Sequence, residues 1–589
     1  MRQFVTLLSL IIIGFGRQAQ NLPIFKIYTY QSGQFDNGGA EVHAFEPLSK
    51  RLFSTNSGSS QVDIIRLGDL SKPAKIGSID LSNYGGTVNS LAVQGNTLAV
   101  AIQNNFAQSD GKVVFFDTNG TYLNQLVVGP MPDMITFSPS LQHILVANEG
   151  EPSDDYTIDP AGSVSIIDIS GGTVSSLSQA NVQTVGFTRY DTTAYDPLIN
   201  IYGNNGLSSF SQDAEPEYIC INPGGTKAYV SLQENNALAI IDIYTATLDT
   251  VVGLGYKSWN DPSYKLDASD QSSGIKFENY FNLFGMYQPD AITYYGNYIL
   301  SANEGDSRDY SGYSEEERIN NVNLSPFTFN NPSYLQRDSV LGRLKVTTTL
   351  GNYNNVFIHD SLFTFGARSF SVWDTLGNLV WDSGDEFEQT LAALHAQNFN
   401  SDNDDNSSFK SRSDDKGPEP EAICTGTYNG SHYAFIALER MGGIMIYNID
   451  DPTQPTFDSY ILDRDFSKAA SDPDAGDLGP EYLSFVSENQ SPSGYPLLIV
   501  SNEISGTVSV YQLGSDIGIK EISAETLQAY PNPGQSIIKL SQEVEYELYN
   551  TDGKFFGHFN NNNLDLSAYP KGYYILRTAD GSGLRILKN

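Results

Sequence analysis

The chain holds 589 residues, with 69 Asp+Glu against 33 Lys+Arg and a formal net charge of −36. Hydrophobics at 40% and aromatics at 12% exclude a disordered chain and supply cores for more than one domain. So acidic a surface excludes sequence-independent binding to nucleic-acid phosphates and favours cations, while two Cys exclude a disulfide scaffold or a Cys-rich zinc protein.

Met1-Arg2 precedes the apolar run Leu7-Leu8-Ser9-Leu10-Ile11-Ile12-Ile13 and the small-x-small pattern Gly14-Phe15-Gly16. A short positive start, an apolar stretch and small residues predict a secretory signal peptide over residues 1–20, cleaved between Gly16 and Gln20. The run is shorter than the ~20 residues that span a membrane, and no later stretch reaches that length, so no transmembrane segment is expected in the mature chain. A lone apolar strand follows at residues 24–30.

A unit then recurs. It opens with Pro and a carboxylate before a short apolar strand, at Pro132-Asp133, Pro216-Glu217, Pro289-Asp290, Pro420-Glu421 and Pro480-Glu481. Its second strand ends in Asn148-Glu149, Asn303-Glu304 and Asn502-Glu503, with Gln233-Glu234 and Leu438-Glu439 as variants. Its third alternates apolar residues and often ends in Asp-Ile, as at Asp168-Ile169 and Asp242-Ile243. Two weaker copies, opening near Glu41 and Asn89, make seven units. The closest openings, Ser90 and Asp133, stand 43 residues apart, the length of a four-stranded propeller blade.

The repeat predicts an all-β fold, a seven-bladed β-propeller over residues 22–515. The last unit has three strands, so residues 24–30 are expected to supply its fourth and remove an exposed edge. Trp373-Asp374 and Trp381-Asp382 are too close to mark successive blades, and both belong to the fifth unit. After Gly514 the repeat stops. Tyr530-Pro531-Asn532-Pro533 opens a stretch with short strands near 545–549 and 573–577 and a turn signal at Asp552-Gly553, which predicts a small C-terminal β-sandwich.

The tail, residues 523–589, resembles the C-terminal sorting domain of the type IX secretion system of Bacteroidetes. The matching residues are Tyr530 to Pro533, the 550–554 turn, Leu564-Asp565-Leu566-Ser567, Gly572-Tyr573-Tyr574-Ile575 and the basic end at 585–588. With the signal peptide, the resemblance implies recognition by the type IX machinery and a secreted or outer-surface location. The segments 147–152, 301–310, 365–374, 380–389 and 412–422 resemble the choice-of-anchor I family, which is similar to mesenchyme-specific cell-surface glycoproteins; the likeness runs through most of residues 38–513. That family's activity is poorly defined. Some members are labelled alkaline phosphatases, and animal relatives are linked to biomineralisation.

Blade geometry places the start of each first strand and the end of each second strand on one face. The metal-ligand candidates there are Glu149, Glu217, Asp290, Glu304, Asp306, Glu421, Glu439, Glu481 and Glu503, with Asp133 and Glu234 beside them. The long insertions, residues 150–161, 188–213, 256–287, 305–341 and 384–418, fall on the same face and read as acidic and polar loops. Calcium suits many hard oxygen ligands outside the cell, so a calcium site is expected among these carboxylates. The competing structural role is a staple, in which strand-start carboxylates accept backbone hydrogen bonds from the neighbouring blade.

Arg308, Arg412 and Lys416 stand out as cations on this face, with Arg368 near. They frame two functions: a binding protein for an extracellular ligand, or a metal-dependent phosphoesterase in which these three residues hold phosphate. Asp402-Asn403-Asp404-Asp405-Asn406 mimics the start of an EF-hand but lacks Gly at position six and Glu at position twelve. No His pair has metal-ligand spacing. Cys220 and Cys424, in equivalent strands two blades apart, are expected to be buried free thiols.

Overall fold

The computed structural model describes residues 22–70, 72–352, 358–514, 529–532, 534, 536–550, 554–578 and 583–588. The expected signal peptide, residues 1–20, lies outside them, as do residues 523–528, Pro533 and the Asp552-Gly553 turn of the tail. The chain forms two compact units, Met1–Leu513 and Gly514–Asn589. Among the described residues no helix is long and apolar enough to cross a membrane.

The first unit is built from seven four-stranded antiparallel sheets. Their first strands are Gly39–Glu46, Val88–Gln94, Pro132–Phe137, Pro216–Ile221, Ile292–Tyr295, Pro420–Tyr428 and Pro480–Val486. Each first strand touches the next, and the seventh touches the first. A hydrophobic core fills every junction between neighbours. Leu145 and Ile166 of the third sheet meet Val230 and Ile241 of the fourth, and Ile499 and Val508 of the seventh meet Leu52 and Ile65 of the first. Burial on both faces explains the short, nearly continuous apolar runs of the inner strands, such as Ile144, Leu145, Val146 and Ala147, all inaccessible. The architecture is propeller-like.

The seventh sheet takes its outer strand from the other end of the chain. Ile24–Gln31 pairs antiparallel with Thr507–Leu513, from Ile24 opposite Leu513 to Gln31 opposite Thr507. Trp373-Asp374 and Trp381-Asp382 lie on neighbouring strands of the fifth sheet, with Val372 opposite Trp381. Cys220 and Cys424 are free, on the first strands of the fourth and sixth sheets, with Cys220 buried and Cys424, expected buried, only half-buried.

Two features differ from the sequence expectation. The second strand of the fourth sheet, Lys227–Leu232, ends before Gln233-Glu234. Pro216 pairs with Leu232 as Pro132 pairs with Asn148, so Gln233 takes the place of Glu149 and Glu234 lies one residue beyond. The insertions, moreover, are not merely polar loops. Trp259, Leu266 and Leu283 of one pack against Ile319, Leu341, Leu344 and Val346 of another, giving a core outside the sheets. Its residues come from segments far apart in sequence, so neither segment alone shows a period.

In the second unit, five strands form one hydrogen-bonded sheet: Ala529–Tyr530, Ile537–Asn550, Phe555–Asp565, Gly572–Thr578 and Gly583–Lys588. Ile538, Leu548, Leu564, Leu576 and Ile586 form its core.

Candidate functional site

The site arises from an irregularity repeated at the start of the first strands. In the third, fourth and sixth sheets Pro pairs with the last residue of the second strand, and the register then slips before the third residue on. Proline has no N–H to give a ladder and suits a strand's first position. The residue after it leaves the ladder. These residues are Asp133, Glu217, Asp290, Glu421 and Glu481; Glu41 and Asn89, after Ala40 and Val88, hold the corresponding positions of the first two sheets, so six of seven carry a carboxyl group.

A second set follows the second strands. Asn148, Asn303 and Asn502 are 0–1% exposed and give their amides to the third strand: Asn148 Nδ2 donates to Ser165 Oγ at 2.9 Å, and Asn303 Nδ2 to Ser371 Oγ at 2.7 Å. The Asn of Asn-Glu is the structural residue. The Glu beyond it joins the acidic set.

On one arc three carboxylates converge. Glu304, Glu421 and Glu439 are buried and offer oxygens all within 4.8 Å of one another. Gln233 Nε2 donates to Glu304 at 2.8 Å. Burial pushes Glu421 and Glu439 well above the usual carboxylate range; Asp290 raises Glu421 further, whereas Arg440 opposes the rise at Glu439. Two glycines hold Glu304 in place. Gly305 (φ +92°) and Gly366 (φ +71°) begin and end the long insertion of the fifth sheet, and their backbones touch. A Cβ on Gly366 would stand 2.0 Å from the Glu304 carbonyl oxygen, so a side chain there would push the site apart.

Cations sit beside this arc, Lys416 and Arg412 from an insertion and Arg440 from the turn after the sixth sheet's second strand. Lys416 Nζ is 2.5 Å from Glu304 and 3.3 Å from Glu419. Arg412 reaches Glu419 at 2.7 Å, and Arg440 reaches Glu419 at 3.0 Å and Glu439 at 3.2 Å. Burial alone would raise Glu419, but Lys416, Arg412 and Arg440 outweigh it and hold the carboxyl at about 2. Asp306 lies outside the cluster, its side chain 51% exposed and 3.6 Å from Lys416.

Next to this arc is a cavity of about 270 Å³ lined by Glu41, Asp133, Asp290, Glu481, Glu503 and Tyr218, among others. Burial, then neighbouring carboxylates, pushes Asp133 and Glu503 up to about 7, and burial does the same for Asp290. These groups bind protons in the fold at pH values where the unfolded chain, with carboxyls near 4, has released them. The metal-free protein is therefore expected to lose stability as pH rises from about 5 to 8. Glu419 acts in the opposite sense, with its contribution complete above about pH 4.5 and lost toward pH 2. Melting of EDTA-treated protein checks this; an equal or higher melting temperature at pH 8 than at pH 5.5 refutes it.

On the other arc stand Glu149 and Glu217, with Glu151 and Glu234. The side chains of Glu217 and Glu234 each leave Oε2 buried without a hydrogen-bond donor. Arg308 is 1% exposed, with Nε 2.7 Å from Asp213 and other nitrogens 3.8 Å from Glu315 and 4.0 Å from Glu215.

Arg308, Arg412 and Lys416, expected as phosphate ligands, are thus each engaged by carboxylates. Arg368 is likewise spent on Glu388 at 2.9 Å. The EF-hand-like loop directs its oxygens at a side chain. Arg464 donates to the carbonyl of Asp402 at 2.6 Å and to Asn406 Oδ1 at 2.7 Å. Sequence reasoning passed over Glu215, Glu419 and Arg440. The signal for the first two was present as Glu215-Pro216-Glu217 and Glu419-Pro420-Glu421. In both copies the Glu before Pro takes the arginine or lysine of an insertion, and the Glu after it joins the acidic ring.

The family described as the choice-of-anchor I domain matches residues 41–452, and the secretion system C-terminal sorting domain matches residues 528–588. Gigasin-3a of Magallana gigas is 32% identical over 197 residues, 30% of this chain and 66% of that protein. Mesenchyme-specific cell surface glycoprotein of Strongylocentrotus purpuratus is 27% identical over 363 residues, 54% of this chain and 42% of that protein. The chain thus spans less than two thirds of either relative. Among solved structures, Kuenenia stuttgartiensis hydrazine synthase has a TM-score of 0.41 at 14% identity, covering 83% of this chain and 100% of that one. A Swd1 β-propeller domain from Myceliophteria thermophila has a TM-score of 0.39 at 10% identity, covering 84% and 100%.

Proposed function

Because the chain belongs to the choice-of-anchor I family and ends in a type IX secretion sorting domain, it is a secreted or outer-surface protein, and we propose that it is a calcium-dependent binding protein. In this reading the seven sheets are the blades of one seven-bladed propeller. The carboxylate face holds calcium, and the calcium-bearing face engages an extracellular ligand.

The convergence of Glu304, Glu421 and Glu439 carries the proposal. Oxygens bound to one calcium at 2.3–2.6 Å stand at most about 5 Å apart, and three buried carboxylates meet that limit. The donors are hard oxygens with no His or Cys among them, which suits calcium over zinc. The calcium would supply the positive charge these buried groups need to ionise together. Lys416 and Arg440 supply part of it and leave room for a ligand-borne anion to complete the coordination. No observation favours the phosphoesterase, since Arg308, Arg412 and Lys416 are already paired with carboxylates.

Calorimetry of EDTA-stripped protein tests the proposal. Calcium is expected to bind with heat and to raise the melting temperature. Glu421→Gln, which keeps shape and removes the central charge, is expected to weaken this site by at least tenfold. No calcium heat and no thermal shift would refute the reading. Affinity is also expected to fall between pH 8 and 6, because the ligands must release protons to bind.

A further inference from the structure

A cavity of about 340 Å³ opens on the flank of the fifth sheet and shares no residue with the Glu304, Glu421 and Glu439 cluster. Its walls are Tyr256 and Tyr264 of the insertion after the fourth sheet, Tyr287, and the outer strand Leu379–Asp382 of the fifth sheet. The volume falls in the range of roughly 300–1,000 Å³ common to small-molecule sites.

Four aromatic side chains line the cavity, and each is held by a neighbour. Tyr256 meets Phe363 with ring centroids 4.7 Å apart, Tyr287 meets Trp373 at 4.9 Å, and Trp381 packs on Phe370 at 5.0 Å. The Tyr264 ring lies against Gly384, where a Cβ would stand 2.6 Å from it. The rings are set before a ligand arrives, which spares the entropy of ordering them.

The polar groups fall into two kinds. The charged pair is complete. Lys257, 2% exposed, donates to the carbonyls of Ala367 at 2.9 Å and Gly384 at 2.6 Å and lies 3.0 Å from Asp382. Asp382 also accepts from Ser369, Ser371 and the Gly384 N–H. Tyr287 is the opposite case. It is 4% exposed, and among the described residues its hydroxyl has no hydrogen-bond partner. A buried phenol usually finds one, because leaving water without a partner is costly. The Tyr256 and Tyr264 hydroxyls and the Trp381 N–H are likewise unpartnered among the described residues.

These features select a ligand. An anion finds no free cation here, since Lys257 is spent, and it meets the exposed Asp261. A cation finds Asp382 already neutralised, with Lys257 beside it. A neutral pyranose fits both restrictions. It has an apolar C–H face for the rings and hydroxyls that donate and accept. A proline-rich peptide suits a shallow aromatic groove, whereas the free Tyr287 hydroxyl lies at depth. We infer that this cavity binds a neutral pyranose of an extracellular glycan, with its apolar face on the aromatic rings and a hydroxyl bonded to Tyr287. The site needs no calcium and does not depend on the calcium reading of the carboxylate face.

Full-length protein in EDTA is applied to an array of neutral, sialylated and sulfated glycans, with proline-rich peptides alongside. The tightest neutral glycan is then titrated in solution while acrylamide quenching of tryptophan is read. Trp259 and Trp373 are 0% and 1% exposed, so quenching reports Trp381. Neutral glycans are expected to bind and to shield Trp381. Tyr287→Phe removes only an unpartnered hydroxyl; it is expected to keep the parent melting temperature and to weaken binding about fivefold or more. Leu379→Arg, at a 45% exposed position of the cavity wall, is expected to fold normally and to block binding. Binding that either variant leaves unchanged overturns the inference. So does binding without shielding of Trp381, binding to charged glycans or proline-rich peptides alone, or no binding at all.

Discussion

Arg308→Met is expected to destabilise the N-terminal unit by about 3–5 kcal/mol in urea unfolding at pH 8, the range for breaking a buried charge pair on one side. The guanidinium is 1% exposed, and its partners Asp213, Glu215 and Glu315 are 1–2% exposed, so water cannot replace it. Methionine fills the stem's volume and leaves three carboxyl groups without a cation. Arg308 Nη2 also donates to the Asp213 carbonyl at 2.8 Å, which ties the insertion of the fifth sheet to the one before the fourth. Acid should return part of the loss. Burial pushes Asp213 up to about 6 even beside Arg308, and removing the guanidinium pushes it higher, so at pH 5 the variant is neutral there by protonation. The penalty is therefore expected to shrink from pH 8 to pH 5. A loss under about 1 kcal/mol at pH 8, or a loss that grows toward pH 5, refutes this account.

Deleting residues 22–31 is expected to abolish the monomeric fold. The strand Ile24–Gln31 completes the seventh sheet, and its loss bares the backbone edge of Thr507–Leu513. Leu22, 5% exposed, packs with Phe435, Leu498 and Leu513, and its N–H donates to Asp458 at 2.8 Å. The Tyr30 hydroxyl donates to Asp63 at 2.6 Å, linking the seventh sheet to the first. Aggregates or dimers paired through the bared edges are expected on size-exclusion chromatography, and a synthetic peptide of residues 22–31 is expected to restore a monomer. A shortened chain that runs as a monomer and melts at the parent temperature would show that closure does not depend on this strand.

Both effects trace to features of unequal visibility in the sequence. The lone strand at residues 24–30 was legible because the last unit lacked a fourth strand, and a repeat with one member missing announces the gap. The Pro-carboxylate openings were legible for the same reason, and the structure places their carboxyl groups at equivalent points of successive sheets. Arg308 was visible only as a scarce cation among acids. Its partners lie 95 and 93 residues earlier and seven residues later in the chain, at Asp213, Glu215 and Glu315. Nothing local distinguishes a guanidinium that grips buried carboxylates from one that waits for phosphate. The slip at Gln233-Glu234 had a similar cause, because a one-residue shift at a strand end changes no hydrophobic pattern.

The sequence by itself determined the repeat, the all-β class and the sorting tail, because each is a local pattern of turns, apolar strands and motif residues carried within tens of residues. It also determined that one face would be acidic. Only the tertiary structure decided how that acidity is divided. The insertion 384–418 delivers Arg412 and Lys416 to one arc, where Arg440 joins them from the turn after the sixth sheet's second strand, while on the other arc Arg308 is held by Asp213, Glu215 and Glu315. Charge compensation depends on distances of a few ångströms between groups far apart in the chain, and net charge does not record it. The −36 of the composition gives the excess of acids over bases and not which of them meet.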